Sequence, residues 1–436
     1  METVRVAFEG LPGGAAPPSW GQREVWCVGG SGTVISLRGL VPLPPGTTVD
    51  DGARVLRDLV RHEAMRTRFT VGAGGSLAEQ AVAAEGEVEM EVVPVVDVDG
   101  DGEATARGVL ARYDERGVDC VEDWPIRTAV VVDGGALTHA VAFYNHLAID
   151  LGGLDLLLAQ VAGKDPATGR TPREQARWQN SPAGAAQSDR ALRRWRTLLR
   201  GAPARRFPRG RGGPGVGYRK LLHTSPAAAL GAAVLAENTG QGTGNVLLAA
   251  YAVAVARLTG VATAVVRLVV HNRFRPDLAG SVGAVSQFGL CAIDTGADFR
   301  AVVGNAWRAS LHAYKNAYHD PVQRLALLDS VSAERGEQVH TDVLFNDRRR
   351  VRDTPATASA EEVRAALGRA TAQWEPWPFP APPGETLYLH VDDTDAGTVF
   401  TVCGDTDHLS PEELLELPVI METVIAEAAI GVLRTG

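Results

Sequence analysis

Two hydrophobic periods alternate along the chain. Beyond Asp50 and Asp51, Val55, Leu56, Leu59 and Val60 recur at i, i+1, i+4 and i+5. That is one face of a helix, which the two acids are expected to cap and which runs into Arg61-His62-Glu63. Ile126 to Val132 and Leu137 to Tyr144 are β-branched and aromatic runs parted by Asp133-Gly134-Gly135, which predicts an antiparallel hairpin. Past a loop, Gly153 to Val161 reads as an apolar helix. Farther on, Asn245 to Leu258 predicts a buried helix, Thr263 to Val270 a buried strand and Thr398 to Val402 another strand. Ser410-Pro411-Glu412-Glu413 supplies an N-cap, a proline at the first helical position and an acid at the third, the start of a last helix.

Two segments break these periods. From Gly201 to Gly217 the run GAPARRFPRGRGGPGVG has the composition of a loop or interdomain linker. From Trp374 to Gly384 the run WEPWPFPAPPG sets prolines between aromatics and is expected to be an extended, polyproline-like strap. The expected organisation is an N-terminal lobe over residues 1–180 and a C-terminal lobe over 181–436. Each mixes sheet and helix, so two α/β lobes are predicted, with a site between them.

Composition narrows the function classes. With 436 residues, 45% of them hydrophobic and 22% charged, the chain is too long for one small module and too apolar for disorder. The 43 Lys+Arg against 52 Asp+Glu give a net charge of −9, the wrong sign for wrapping nucleic acid. Cys27, Cys120, Cys291 and Cys403 have neither CxxC nor Cys/His ligand spacing, so neither a disulfide framework nor a bound metal is expected and a reducing cytoplasm fits. The N-terminus does not read as a secretory leader. The apolar stretch from Val246 to Val270 is interrupted by Arg257, Gly260 and Arg267, so no membrane span is expected.

Candidate chemistry concentrates in Phe143-Tyr144-Asn145-His146-Leu147-Ala148-Ile149-Asp150-Leu151-Gly152-Gly153. An apolar strand delivers a histidine and, four residues on, an aspartate ahead of a glycine pair and a helix. A strand end is a rigid mount for a base, and a nearby acid can fix the loop or the imidazole tautomer. The same spacing also fits a loop histidine beside a helix-capping acid. His139 alternates with apolar neighbours and reads as cross-strand packing. His312 and His319 have the spacing of a helical pair but lack a third ligand. No GxSxG, GxxxxGK[ST] or strand-following GxGxxG occurs, which disfavours serine hydrolases, P-loop enzymes and dinucleotide enzymes.

The His146–Asp150 stretch resembles the His-His-x-x-x-Asp-Gly motif of the condensation domains of nonribosomal peptide synthetases, within the chloramphenicol-acetyltransferase-like superfamily. Further segments match in chain order. Ser19-Trp20-Gly21-Gln22-Arg23-Glu24-Val25-Trp26 looks like Ser-x-x-Gln-x-x-x-Trp, and Arg61 to Phe69 like Arg-His-Glu-x-Leu-Arg-Thr-x-Phe. Asp119 to Val130 is similar to the strand entry before the active-site hairpin. Asn272-Arg273-Phe274-Arg275-Pro276 with Val282-Gly283 resembles the Asn-Arg-x-Arg-Pro and Val-Gly-x-Phe-Val-Asn segment, and Val343 to Asn346 its closing strand.

The resemblance implies two acetyltransferase-like lobes in a V shape with a tunnel between them. It implies an enzyme that joins an acyl or aminoacyl group, held as a thioester on a carrier protein's phosphopantetheine arm, to an acceptor amine or hydroxyl. His146 would take the acceptor's proton or hold the acceptor in place. Asp150 would be structural, with Arg273 its expected partner. Leu151, Gly152, Gln287 and Asn346 would line the substrate channel. Two departures stand out: Asn145 replaces the first histidine, and Leu151 replaces the motif glycine, with Gly152-Gly153 expected to restore backbone freedom one residue later. Among several arginine clusters, Arg205 and Arg206 are candidates for guiding the carrier. No carrier-protein serine motif or adenylating module is recognised, so a freestanding enzyme meeting its carrier in trans is expected. An acyl-coenzyme A-dependent acyltransferase and a catalytically silent docking domain that recruits a tailoring enzyme are the alternatives.

Overall fold

The computed structural model describes residues 2–29, 35–95, 101–164, 168–203, 207, 217–349, 358–377 and 384–435. It divides into two compact units, Met1–Gln187 with His271–Gln287, and Ser188–Val270 with Phe288–Gly436. Both are mixed α/β.

In the first unit the chain order is β1 (Glu2–Phe8), β2 (Gly14–Ala16), α1 (Trp20–Gly29), β3 (Ser36–Pro42), α2 (Val49–Leu59), β4 (Thr67–Val71), β5 (Leu77–Val82), β6 (Gly86–Pro94), α3 (Gly102–Arg116), β7 (Ile126–Asp133), β8 (Ala136–Asn145), α4 (Leu151–Val161) and α5 (Pro172–Gln179). A five-stranded sheet has the order β1-β6-β7-β8-β3, and a three-stranded sheet the order β2-β5-β4. Helix α2 is capped by Thr48 rather than by the acids that follow it. Thr48 Oγ1 accepts from the Asp51 N–H at 3.2 Å while Asp51 Oδ2 accepts from the Thr48 N–H at 2.9 Å, a reciprocal capping box. Its apolar stripe, Ala53, Leu56 and Leu59, is buried in a core shared with Val6, Met90, Tyr144 and Leu157.

The hairpin β7–β8 positions the candidate site. Its loop residues Gly134 and Gly135 have φ of 54° and 86°, the positive values a two-residue type I′ turn needs at both positions. Asp133 pairs with Ala136, and the ladder then runs to Ile126–Tyr144. Val141 and Phe143 of β8 pack with Val109 and Tyr113 of α3, while Leu137 and Tyr144 face the core that includes α2 and α4. Burial on both faces fixes which way each β8 residue points.

The second unit comprises α6 (Pro182–Gly201) from Ser188 on, β9 (Tyr218–Ser225), α7 (Pro226–Thr239), α8 (Thr243–Thr259), β10 (Thr263–Val270), β11 (Gln287–Asp294) from Phe288 on, α9 (Phe299–Lys315), α10 (Pro321–Arg335), β12 (Val343–Asp347), α11 (Ala360–Leu367), β13 (Thr371–Glu375), β14 (Leu387–Thr394), β15 (Gly397–Asp405) and α12 (Pro411–Thr435). A seven-stranded sheet has the order β11-β10-β12-β14-β15-β9-β13. Its inward residues, among them Leu387, Leu389, Phe400 and Val402, meet α7, α8, α9 and α12 in one large core. Helix α8 is apolar nearly all round because it lies inside this core.

The division between units falls within α6, ahead of the Gly/Pro/Arg-rich run. Ser188 hydrogen-bonds Gln323 at 2.8 Å, Trp195 packs edge-on against His319 at 5.3 Å and Arg196 pairs with Glu334, which ties most of α6 to the second unit. Residues 204–206 and 208–216 of that run lie outside the described residues. The expected strap begins differently: Trp374 and Glu375 belong to β13, paired antiparallel with β9, and Trp377 packs on Tyr218 at 4.8 Å. The stretch 378–383 lies outside the described residues. Among the described residues no helix is long and apolar enough to cross a membrane.

Gly21 of α1 lies against the backbone of the 283–286 segment, where an added Cβ would stand 2.0 Å from the Ala284 carbonyl oxygen. Backbone cannot rotate away. Gly21→Ala is therefore expected to lower stability by about 1–3 kcal/mol, seen as a lower denaturant midpoint. Gly29→Ala, whose added carbon meets nothing within 4 Å, should leave the midpoint nearly unchanged.

Candidate active site

Strand β8 ends at Asn145, and His146 begins the turn that follows. The turn is pinned on several sides. The His146 N–H donates to the Ile35 carbonyl at 2.9 Å, and the Asn145 N–H to the Pro125 carbonyl at 2.8 Å. Asn145 Oδ1 accepts from the Leu147 N–H at 2.9 Å, a local bond of the kind that lets asparagine replace a backbone turn. Asn145 is buried and His146 half-buried. The His146 Nδ1 atom is buried without a hydrogen-bond partner among the described residues.

Asp150 closes the loop. It caps α4, Oδ1 accepting from the Gly153 N–H at 2.8 Å. It also makes a two-pronged ion pair with Arg273, Nη1 to Oδ2 at 3.0 Å and Nη2 to Oδ1 at 2.7 Å. Oδ2 further accepts from the Val285 N–H at 2.9 Å, the Ser286 N–H at 2.7 Å and the Ser286 hydroxyl at 2.7 Å. Arg273 in turn donates to the carbonyls of Ser281 and Gly283, each at 3.0 Å from Nη2. Burial pushes the Asp150 pKa upward, but the Arg273 charge and the donors from Arg273, Ser286 and Val285 outweigh it and hold the group at about 2, below the ordinary 3.8. A paired charge of this kind can stay ionised in the interior.

The glycine pair serves space rather than backbone freedom. Neither Gly152 nor Gly153 is among the residues of positive φ. A Cβ on Gly152 would stand 2.8 Å from Arg273 Nη1, and one on Gly153 2.8 Å from the Gly283 carbonyl and 2.9 Å from Arg273 Nη2. Both glycines make room for the guanidinium. Leu151, the first residue of α4, is 41% exposed and makes no part of this packing.

The remaining candidates are distributed differently. Gln287 is buried at the start of β11. Asn346 belongs to the second unit, where its amide contacts His390 and Tyr388. His319 lies beyond the end of α9, so it does not share a helical face with His312. It is wholly buried, and burial holds its pKa down at about 3. Arg196 and Arg200 pair with Glu334, Arg348 with Asp392 and Arg349 with Asp347. Arg205 and Arg206 lie outside the described residues.

No protein-family model and no curated protein matches the chain. Solved structures do. The condensation domain that mediates chain release from the enacyloxin polyketide synthase is 21% identical, with 94% of this chain and 82% of that chain covered at a TM-score of 0.66. The SgcC5 protein from Streptomyces globisporus is 18% identical, with 95% and 98% covered at 0.68. The chain has a condensation-domain fold. The X-domain from teicoplanin biosynthesis is similar too, at 19% identity, 95% and 94% coverage and a TM-score of 0.66.

Within this condensation-domain fold, several contacts escaped the sequence reading. Ser286 and the Val285 N–H complete the Asp150 cage. Asn272, buried with φ of 55°, turns the chain ahead of Arg273 and donates to the Val285 carbonyl at 3.1 Å. Asparagine tolerates that left-handed geometry, and the polar pair Ser286-Gln287 set between Val285 and Phe288 was the available hint. Glu63 and Arg173, both largely buried, pair at 2.5 Å, and Gln22 Nε2 donates to Gln80 Oε1 at 3.1 Å.

Removing the carboxylate strands the Arg273 charge, so Asp150→Asn is expected to cost about 3–5 kcal/mol, read by thermal or denaturant unfolding. The depressed pKa sets the sign with pH. The contribution of Asp150 to stability is full above about pH 4, near its unfolded value, and is lost as pH falls toward 2. The Asp150→Asn variant should lose less stability than the wild type over that window.

Proposed function

We propose that the chain catalyses acyl transfer from a carrier-protein thioester to an acceptor amine or hydroxyl, with His146 as the group that receives or orients the acceptor's proton. The observation that carries this reading is a half-buried imidazole directly after the end of β8, on a turn held by the Asp150–Arg273 cage. The condensation-domain fold supports the substrate class. In the reaction the acceptor attacks the thioester carbonyl, the new C–N or C–O bond forms, the C–S bond breaks, and the thiol of the phosphopantetheine arm leaves. Proton transfer by a positioned base contributes about 10²–10⁴ in rate, and fixed orientation adds to it. Asp150 acts through the turn, as a positioning residue.

Docking without catalysis is a second reading. It is supported by the likeness to the teicoplanin X-domain, which has been solved in complex with OxyB. A product assay separates the two. Donor acyl groups are supplied on a carrier protein and on coenzyme A with a panel of amine and alcohol acceptors, and products are read by mass. Carrier-dependent product that falls at least 100-fold in His146→Ala is expected. Turnover from coenzyme A alone would move the assignment to a coenzyme A-dependent acyltransferase, and carrier binding with no product from any acceptor would favour docking.

Leu151 stands where the family motif has glycine and is exposed at the start of α4. If its side chain narrows the acceptor path, Leu151→Gly should extend turnover to bulkier amines. An unchanged acceptor range in competition assays would remove Leu151 from the substrate channel.

A further inference from the structure

Two helices of the second unit carry apolar stripes that its core does not use. On α9, Trp307, Leu311 and Tyr314 recur at i, i+4 and i+7 and are 38%, 39% and 40% exposed, while Val302, Val303 and Ala306 enter the core. On α12, Leu415 and Val419 are 39% and 43% exposed, while Leu414, Leu417 and Met421 enter the same core. Single exposed apolar residues are ordinary on a protein surface. Aligned ones that include a Trp and a Tyr form a patch of the kind that seats a partner.

The charges beside the two stripes are of opposite sign. Helix α9 contains Arg300, Arg308, His312 and Lys315 and no acid. Helix α12 contains Glu412, Glu413 and Glu416 in its first turns and no cation before Arg434. Among the described residues neither Arg308 nor Lys315 pairs with a carboxylate, and Arg308 instead donates to Asn305 Oδ1 at 2.6 Å. Helical geometry fixes the side on which each charge stands. Arg308 follows Trp307, Lys315 follows Tyr314 and Glu416 follows Leu415, and one residue step turns an α-helix by about 100°. Viewed from outside with its N-terminus down, each helix therefore carries these charges to the right of its stripe. Facing the two helices antiparallel lays the acidic border over the basic one. Facing α9 antiparallel to a second α9 would oppose cation to cation.

We propose that α9 of one copy of this chain docks antiparallel on α12 of a second copy, with Trp307, Leu311 and Tyr314 against Leu415 and Val419 and with Arg308 and Lys315 on the Glu412–Glu416 border. This self-association is independent of the acyl-transfer reading. One helix pair covers less area than the about 1,600 Å² of a standard interface, so the contact is reversible, and its charged border makes it weaker in salt. Sedimentation velocity of the full chain over a dilution series tests it. The wild type is expected to pass from monomer to larger species as concentration rises, an arm that needs no variant. Leu311→Asp and Leu415→Asp, both at exposed positions, should each weaken assembly at least about 10-fold while their melting temperatures match the wild type. An equimolar mixture of the two is decisive, because the Leu415→Asp copy keeps its α9 stripe and the Leu311→Asp copy its α12 stripe. Mixing should restore one contact and give a dimer containing one copy of each, followed with one variant fluorescently labelled. A wild type that stays monomeric throughout overturns the proposal. If that monomer binds vesicles of phosphatidylglycerol and phosphatidylcholine and Leu311→Asp does not, the α9 stripe is a membrane contact instead. Assembly that survives either substitution, or a mixture that stays monomeric, overturns the pairing of α9 with α12.

Discussion

Asp150 and Arg273 stand 123 positions apart in the chain, and their ion pair joins two segments that neither sheet ladder connects. One carboxylate caps α4, neutralises a buried guanidinium and accepts from the backbone of the 283–286 segment. Desolvating both charges is costly, and only a nearly complete set of hydrogen bonds offsets it. The requirement spreads outward. Gly152 and Gly153 must lack side chains for the guanidinium to fit, and Gly21 must lack one for α1 to approach Ala284. The turn bearing His146 inherits its rigidity from this cage at one end and from the type I′ hairpin at the other.

Much of the fold was legible because the strongest signals were local. Asp133-Gly134-Gly135 between β-branched runs specifies its own turn, and Ser410-Pro411-Glu412-Glu413 specifies its own helix start, with the Ser410 N–H donating to Glu413 at 2.8 Å. Errors arose where a nearby residue competed for the same role. Asp50 and Asp51 looked like caps, yet Thr48 stands three residues ahead of Asp51, and the capping box needs that spacing. The polar run after Gly201 looked like a seam, but α6 had already joined the second unit through Ser188, Trp195 and Arg196, contacts of long sequence separation that composition does not encode.

The site was legible in its residue types and less so in its purpose. A motif places His146, Asp150 and Arg273 on notice without saying why two glycines follow. The answer depends on the volume of a side chain more than a hundred residues away. Likewise Asn346 could be singled out, but its partners His390 and Tyr388 lie on another strand, and only sheet register brings them beside it.

Among the described residues, strand β13 sits at the end of the seven-stranded order and pairs on one side only, with β9. An unpaired strand edge is a template for intermolecular pairing, and proteins shorten or interrupt such edges to stay monodisperse. Here the ladder stops after five residues, and Pro376, which has no N–H to offer, follows at once. Arg219 stacks over Trp374 at 5.3 Å, setting a cation on the most apolar residue of that border. A short ladder, a proline and a cation thus all work against a further strand adding at this border.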